Sequence, residues 1–178
     1  QVWRFQDDFE RDLSATATPH AVAGRSNHLA GQADQGLGFD GHPMVRYVKD
    51  CEGSGQCLQG CRGGRKQSLN LVYIPEVIEQ GGTVVSCAPV DKVMLRGNRA
   101  VGVQGRFRHP RRLRRGARFT LRARKGVFIA ASATGSPVLL QKSGVKSKAM
   151  GQYFRSHPGS GVFGVYKDPV DMNIGATQ

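Results

Sequence analysis

Apolar residues recur along the chain with two spacings that predict different elements. Between residues 67 and 80 they follow a helical spacing, and Gly81-Gly82 comes next, as is typical of a helix end. Pro75 inside this range predicts a kink or a late helix start. Shorter apolar runs predict strands at residues 83–86, 90–95, 99–104 and 119–124.

A continuous apolar run at residues 126–131 has the pattern of a fully buried strand. Small residues follow it, and a helix is predicted from Pro137 to Ser143, with Gly144 after its end. Residues 1–50 show no clear periodicity and predict a loop-rich segment with short helical turns. Together these elements predict a mixed α/β (α+β) fold with a β-hairpin or meander at its centre.

Length and charge narrow the class of protein. The chain has 178 residues and a net charge of +13, and no apolar run is long enough to predict a membrane span. Ten Lys or Arg and no acid lie between Arg106 and Lys125. We interpret this cluster as a charged hairpin tip, because the arginines are not interleaved with the aromatic residues that stack on bases. The alternative is a basic nucleic-acid-binding module.

Two glycine-rich patterns bear on cofactor binding. Residues 36–41 match G-x-G-x-x-G, but no apolar strand precedes them and Pro43 follows, so the match does not predict a pyrophosphate site. Residues 126–145 instead predict strand, small-residue turn and helix, with Ser136 or the preceding loop as the helix cap. That arrangement can bind an anionic or dinucleotide cofactor, or can be a tight corner without a ligand.

Three of the four cysteines, Cys51, Cys57 and Cys61, crowd into eleven residues. Thiols at this spacing suit zinc or an iron–sulfur cluster, and they equally suit burial or disulfide bonds. Burial or disulfide pairing is the favoured interpretation. An iron–sulfur electron-transfer subunit remains an alternative function.

Residues 132–145, which read SATGSPVLLQKSGV, resemble the second signature of the glucose-methanol-choline (GMC) oxidoreductases, an FAD-dependent family. Only Lys146 departs, because the family has Gly there. Residues 126–131 resemble the strand beneath the flavin, and residues 60–68, GCRGGRKQS, resemble a second family stretch. The resemblance extends from about residue 24 to residue 178.

The resemblance implies a fragment of an enzyme that oxidises the CH–OH group of an alcohol, sterol or sugar, with hydride transfer to FAD. It implies an N-terminal segment at 1–50, the centre of the FAD-binding domain at 51–147 and the start of the substrate domain at 148–178. The implied partners are the small-molecule substrate, the rest of the parent chain and possible electron-acceptor proteins, without nucleic acid. No catalytic residue or metal ligand is assigned. The implied cofactor-binding residues are Val90, whose backbone would contact the adenine, and the flavin-side residues Ala130, Ala131, Ser132, Ser136 and Pro137.

Overall fold

The computed structural model describes residues 2–112, 114–161 and 163–176. Two compact units form: one takes in the chain up to Val84 together with the residues after Gly161, and the other is Val85–Gly161. The units divide the predicted segment 148–178 between them, and small parts of segments 1–50 and 148–178 lie outside the described residues. The predicted division into segments 1–50, 51–147 and 148–178 stays a prediction.

The first unit is built from short helices and one small sheet. The elements in chain order are α1 (Val2–Asp12), β1 (Ala15–Ala17), α2 (His20–Ala23), α3 (Arg25–Leu37), β2 (Val45–Tyr47) and α4 (Tyr73–Glu79). Strands β1 and β2 pair antiparallel, with Thr16 opposite Arg46.

Within residues 1–50, where short helical turns were expected, the structure forms the two longer helices α1 and α3. Phe9 packs edge-on against Tyr47, with ring centroids 5.8 Å apart, and stacks on Tyr73 at 6.1 Å. Leu13, one turn after Phe9, is only 3% exposed. Phe5, Phe9 and Leu13 follow one another at the four-residue spacing of a helix face.

The helix predicted for residues 67–80 begins late, as Pro75 indicated. It starts at Tyr73, so Pro75 lies in the first turn, where a missing amide hydrogen costs no helical hydrogen bond. The strand predicted at residues 83–86 is wrong. Val84 and Val85 are about half exposed and belong to no ladder among the described residues.

The second unit contains the predicted meander. Strands β3 (Val90–Arg96), β4 (Arg99–Arg108) and β5 (Arg115–Arg122) form one antiparallel sheet in the order β3-β4-β5. The cluster of arginines lies at the β4–β5 hairpin, as predicted. Its tip is closed by His109, whose backbone amide donates to the Arg114 carbonyl at 3.0 Å.

Helix α5 (Ser132–Lys142) packs on β3 through a polar contact in the core. Val93 is 2% exposed, and its amide donates to Ser143 Oγ at 2.8 Å. The Ser143 hydroxyl donates in turn to the Leu139 carbonyl at 2.6 Å. These bonds join the end of the helix to the middle of strand β3, at the edge of the sheet.

The buried strand predicted at residues 126–131 is wrong for this structure. No described residue pairs with it in a ladder, and the Phe128 side chain is 100% exposed. A buried parallel strand needs neighbours on both sides, and the described sheets are small and antiparallel. Helix α5 also begins earlier than predicted, at Ser132, so Pro137 lies inside it. The mixed α/β content itself is confirmed.

The described residues include no helix with both the length and the apolar character that crossing a membrane requires.

Candidate functional site

Three of the six predicted cofactor-binding residues line one cleft in the second unit. Val90 at the start of β3 meets Ala130 and Ala131, which precede α5, around a space of about 440 Å³. The other lining residues are apolar except Lys142 in the last turn of α5. The cleft therefore offers an apolar surface with one cation, a combination typical of small-molecule sites.

A glycine on the neighbouring strand sets the position of Val90. Gly105 lies opposite Val90 in the β3–β4 ladder. A Cβ added at Gly105 would stand 2.2 Å from the Pro89 carbonyl oxygen and 2.7 Å from the ring of Phe119. Only glycine lets the beginning of β3 approach β4 so closely, and this approach places Val90 at the cleft.

Two serine hydroxyls organise the turn that leads into α5. Ser136 Oγ accepts from the Ala131 amide at 3.1 Å, and Ser132 Oγ accepts from the Gly135 amide at 3.2 Å. Ser132 also has a φ of 70°, a left-handed backbone that is uncommon for a residue other than glycine. The prediction of Ser136 as a possible helix cap is wrong, because Ser136 lies inside α5 and the N-cap residue Ala131 makes no side-chain capping bond. The hydrogen bond of Ser132 was not predicted from the sequence.

The remaining predicted residues do not join this cleft. Ser136 and Pro137 line a different cavity of about 840 Å³, together with residues such as Tyr153 and Arg155. Ser132 lines neither cavity. The first turn of α5 therefore contributes to two cavities rather than to one continuous site.

Lys142 is a cleft residue that the sequence analysis did not single out. It follows Gly135, Val138 and Leu139 with spacings of seven, four and three residues, and all four line the cleft. That spacing puts them on one face of α5. The sequence therefore indicates that Lys142 shares a face with these residues if the helix begins at Ser132.

The family model for GMC oxidoreductases matches residues 1–159. The chain belongs to the GMC oxidoreductase family. The match implies FAD, because the matched part is the N-terminal, FAD-binding region of these enzymes.

Relatives extend the similarity to nearly the whole chain. An uncharacterised GMC-type oxidoreductase of Mycobacterium tuberculosis is 32% identical over 171 residues, which cover 96% of this chain and 26% of the relative. Another from Sinorhizobium fredii is 28% identical over 165 residues, covering 92% and 32%. An oxygen-dependent choline dehydrogenase of Brucella anthropi is 35% identical over 95 residues, covering 53% and 16%. No solved structure matches. The chain thus spans about a quarter to a third of the first two GMC proteins.

The residues present fit part of the GMC cofactor. The apolar cleft with its small side chains at Ala130 and Ala131 can take a flat ring system against the backbone. The formal G-x-G-x-x-G at residues 36–41 cannot hold the pyrophosphate, because α3 ends there and Gly38 takes a left-handed C-cap. A helix C-terminus presents carbonyl oxygens, which repel an anion.

The cysteines of this GMC chain do not form a recognisable metal site. Cys51, Cys57 and Cys61 line one cavity of the first unit, whereas Cys87 is exposed in the second unit. No disulfide bond joins any of the four. Among the described residues, no group of three or more His, Cys, Asp or Glu is arranged to hold a metal ion. The structure therefore does not support the iron–sulfur alternative.

Proposed function

We propose that this chain forms the middle of the FAD-binding part of an oxidoreductase that acts on CH–OH groups of alcohols, sterols or sugars. The observation that supports it best is the cleft shared by Val90, Ala130 and Ala131. Family resemblance alone assigned these three residues to the cofactor. Val90 lies forty positions before Ala130 in the sequence, yet both line this one cleft. The GMC membership of the chain is consistent with this role.

The chain's own residues would bind and orient the cofactor. The backbone of Val90 would contact the adenine, and the small side chains of Ala130 and Ala131 would leave room for a ring to approach the main chain. The Lys142 ammonium would add positive charge next to an anionic ligand. When bound, FAD would supply the hydride acceptor for oxidation of the CH–OH carbon. No residue is assigned as the base that removes the hydroxyl proton.

The unpaired segment at residues 126–130 bears on how the chain would act. Its apolar residues line the cleft, and Phe128 is fully exposed, whereas Val127 and Ile129 are half-buried. We expect strands from other parts of a longer GMC protein to pair with this segment and complete the FAD site. The domain roles proposed are an N-terminal segment at 1–50, the centre of the FAD-binding domain at 51–147 and the start of the substrate domain at 148–178.

A flavin titration tests cofactor binding. We expect the 178-residue chain to bind FAD weakly or not at all, because the segment at residues 126–130, which lines the cleft, is unpaired. A full-length GMC protein carrying this sequence should bind FAD, and Gly135→Leu should weaken that binding because Gly135 lines the cleft. The matched control is Gly159→Leu, at an exposed glycine with open space around it. Equal FAD affinity of the two variants would contradict the proposed site.

Anaerobic mixing with candidate donors tests the reaction class. The flavin absorbance of the full-length protein should bleach with at least one alcohol, sterol or sugar, and deuteration of the reacting CH–OH carbon should slow the bleaching. Reduction by a reduced nicotinamide alone, with no response to any hydroxyl donor, would refute the CH–OH assignment.

A further inference from the structure

Three cysteines line the cavity of the first unit. Cys51, Cys57 and Cys61 all line it, each is half-buried, and its volume is about 510 Å³. That volume suits a small organic molecule rather than a macromolecule. All three sulfur-bearing residues therefore face one solvent-accessible space.

The walls of this cavity are strongly basic. Its charged lining residues are four cations, Arg46, Arg62, Arg65 and Lys66, and one acid, Glu52. The acid is held by Arg65, whose Nε donates to Glu52 Oε1 at 3.1 Å. The resulting excess of positive charge attracts small anions into the cavity.

Hydrogen bonds of its amide and its sulfur constrain Cys61 in the cavity wall. Its amide donates to the Gln56 carbonyl at 2.8 Å, which closes a turn that also contains Cys57. Its sulfur accepts from the Lys66 amide at 3.4 Å. Its φ of 45° is a left-handed backbone that is uncommon outside glycine. Reactive cysteines occur in partly exposed, electropositive surroundings of this kind.

We propose that this cavity is a thiol–disulfide exchange site that accepts small anionic disulfides. Cys61 loses its proton to solvent and its sulfur attacks one sulfur of the ligand. One ligand thiolate leaves, and a mixed disulfide forms at Cys61. A second thiol of the cavity, Cys57 or Cys51, then loses its proton and attacks the Cys61 sulfur, which releases the second ligand thiolate. The ligand disulfide is reduced to two thiols and two protein thiols are oxidised to one disulfide, so electrons and atoms balance.

Two disulfide probes, one anionic and one neutral, test the proposal on the 178-residue chain. Dithiobis(nitrobenzoate) is a dianion and dithiodipyridine is neutral. Cys87→Ser removes the exposed thiol of the second unit and leaves the cavity intact. With one equivalent of the anionic probe, this variant should release two thiols per probe and show no adduct by mass spectrometry. Release of one thiol with a stable adduct would overturn the second step.

The charge of the wall provides the sharper test. Arg62→Gln should slow the anionic probe roughly threefold, the effect of losing one exposed ion-pairing charge, and should leave the neutral probe unchanged. Added salt should slow only the anionic probe. Arg111→Gln is the matched control, because Arg111 lies at the tip of the β4–β5 hairpin and does not line the cavity. It should change the reaction rate of neither probe. Equal slowing of both probes in Arg62→Gln would overturn the anion selectivity.

The role of Cys61 is tested by Cys61→Ser in the Cys87→Ser background. Double thiol release should disappear, and the anionic probe should react more slowly. If this variant does not fold, the Arg62→Gln rates and the mass of the reacted Cys87→Ser chain decide the proposal. A Cys61→Ser variant that folds and still releases two thiols per probe would exclude Cys61 as the attacking thiol.

Discussion

Strand β3 and the apolar segment at residues 126–130 line the same cleft, yet their surroundings differ sharply. The Val93 side chain in β3 is 2% exposed, whereas the Phe128 side chain in the segment is 100% exposed. Both regions carry the apolar runs of a strand. The difference shows that an apolar run predicts the tendency to form a strand, while pairing depends on where its partners lie.

The partner of β3 is close in sequence. A short turn with Gly97 at a φ of 58° returns the chain directly into β4, so the antiparallel pair forms locally. Residues 126–130 have the pattern of a strand buried on both faces, which needs partners brought from afar. Each of the following predictions changes one of the two regions and uses the other as its reference.

Amide hydrogen exchange should show the largest contrast. The Val93 amide donates to Ser143 Oγ and the Val103 amide lies in the central strand β4, so both should exchange at least about a hundredfold more slowly than the amides of Val127 to Ala130. Exchange followed by NMR or mass spectrometry measures the ratio. Similar protection in both regions would mean that the segment is paired in solution.

Truncation of a side chain should give the next largest difference between the two regions. Val93→Ala should lower the free energy of unfolding by about 2 kcal/mol, because a buried side chain leaves a cavity. Phe128→Ala should change it by less than about 0.5 kcal/mol, because the ring has no burial to lose. Urea denaturation of both variants measures the difference. A loss at Phe128 as large as that at Val93 would contradict the exposed segment.

Adding a methyl group at Gly105 tests how closely the backbones of β3 and β4 approach each other. Gly105→Ala should cost about 1.5 kcal/mol, because the new Cβ would stand 2.2 Å from the Pro89 carbonyl oxygen, which the sheet holds in place. Gly126→Ala is the matched change in open space and should be close to neutral. The free energies of unfolding of the two variants should separate. If Gly105→Ala proves neutral, the tight start of β3 is not as described.

Removal of one hydroxyl should have the smallest effect. Ser143→Ala leaves the buried Val93 amide without its acceptor and should cost about 1 kcal/mol. Ser160→Ala, at an exposed position, is the control and should be neutral. Differential scanning calorimetry compares the midpoints. An unchanged midpoint for Ser143→Ala would remove the polar tie between α5 and β3.

Local signals made part of the fold predictable. The starts of β3 at Val90 and β4 at Arg99 are confirmed, because a turn residue and an alternating run fix both within a few residues. The C-terminal end of α5 is confirmed at Gly144, which has the expected left-handed φ of 81°. These features depend only on neighbours in sequence.

Features that depend on distant residues were missed. Helix α1 shows its packing only once Tyr47 and Tyr73 are known to meet Phe9. The early start of α5 at Ser132 was missed for a local reason, because a propensity pattern does not reveal the hydrogen bonds that Ser132 and Ser136 accept from nearby amides. For the candidate site, the resemblance pointed to Val90, Ala130 and Ala131. Only the structure places Lys142 in the same cleft and Ser136 and Pro137 in another.

The central claim is that the cleft shared by Val90, Ala130 and Ala131 binds part of FAD, with the adenine contact at Val90. Chemical-shift mapping of the 178-residue chain with adenosine monophosphate tests it most directly, because even weak binding is visible. The account predicts shifts at Val90, Ala130 and Ala131 that Gly135→Leu abolishes and Gly159→Leu preserves. Shifts confined to the arginines of the β4–β5 hairpin, and removed by salt, would show phosphate attraction instead and contradict the account.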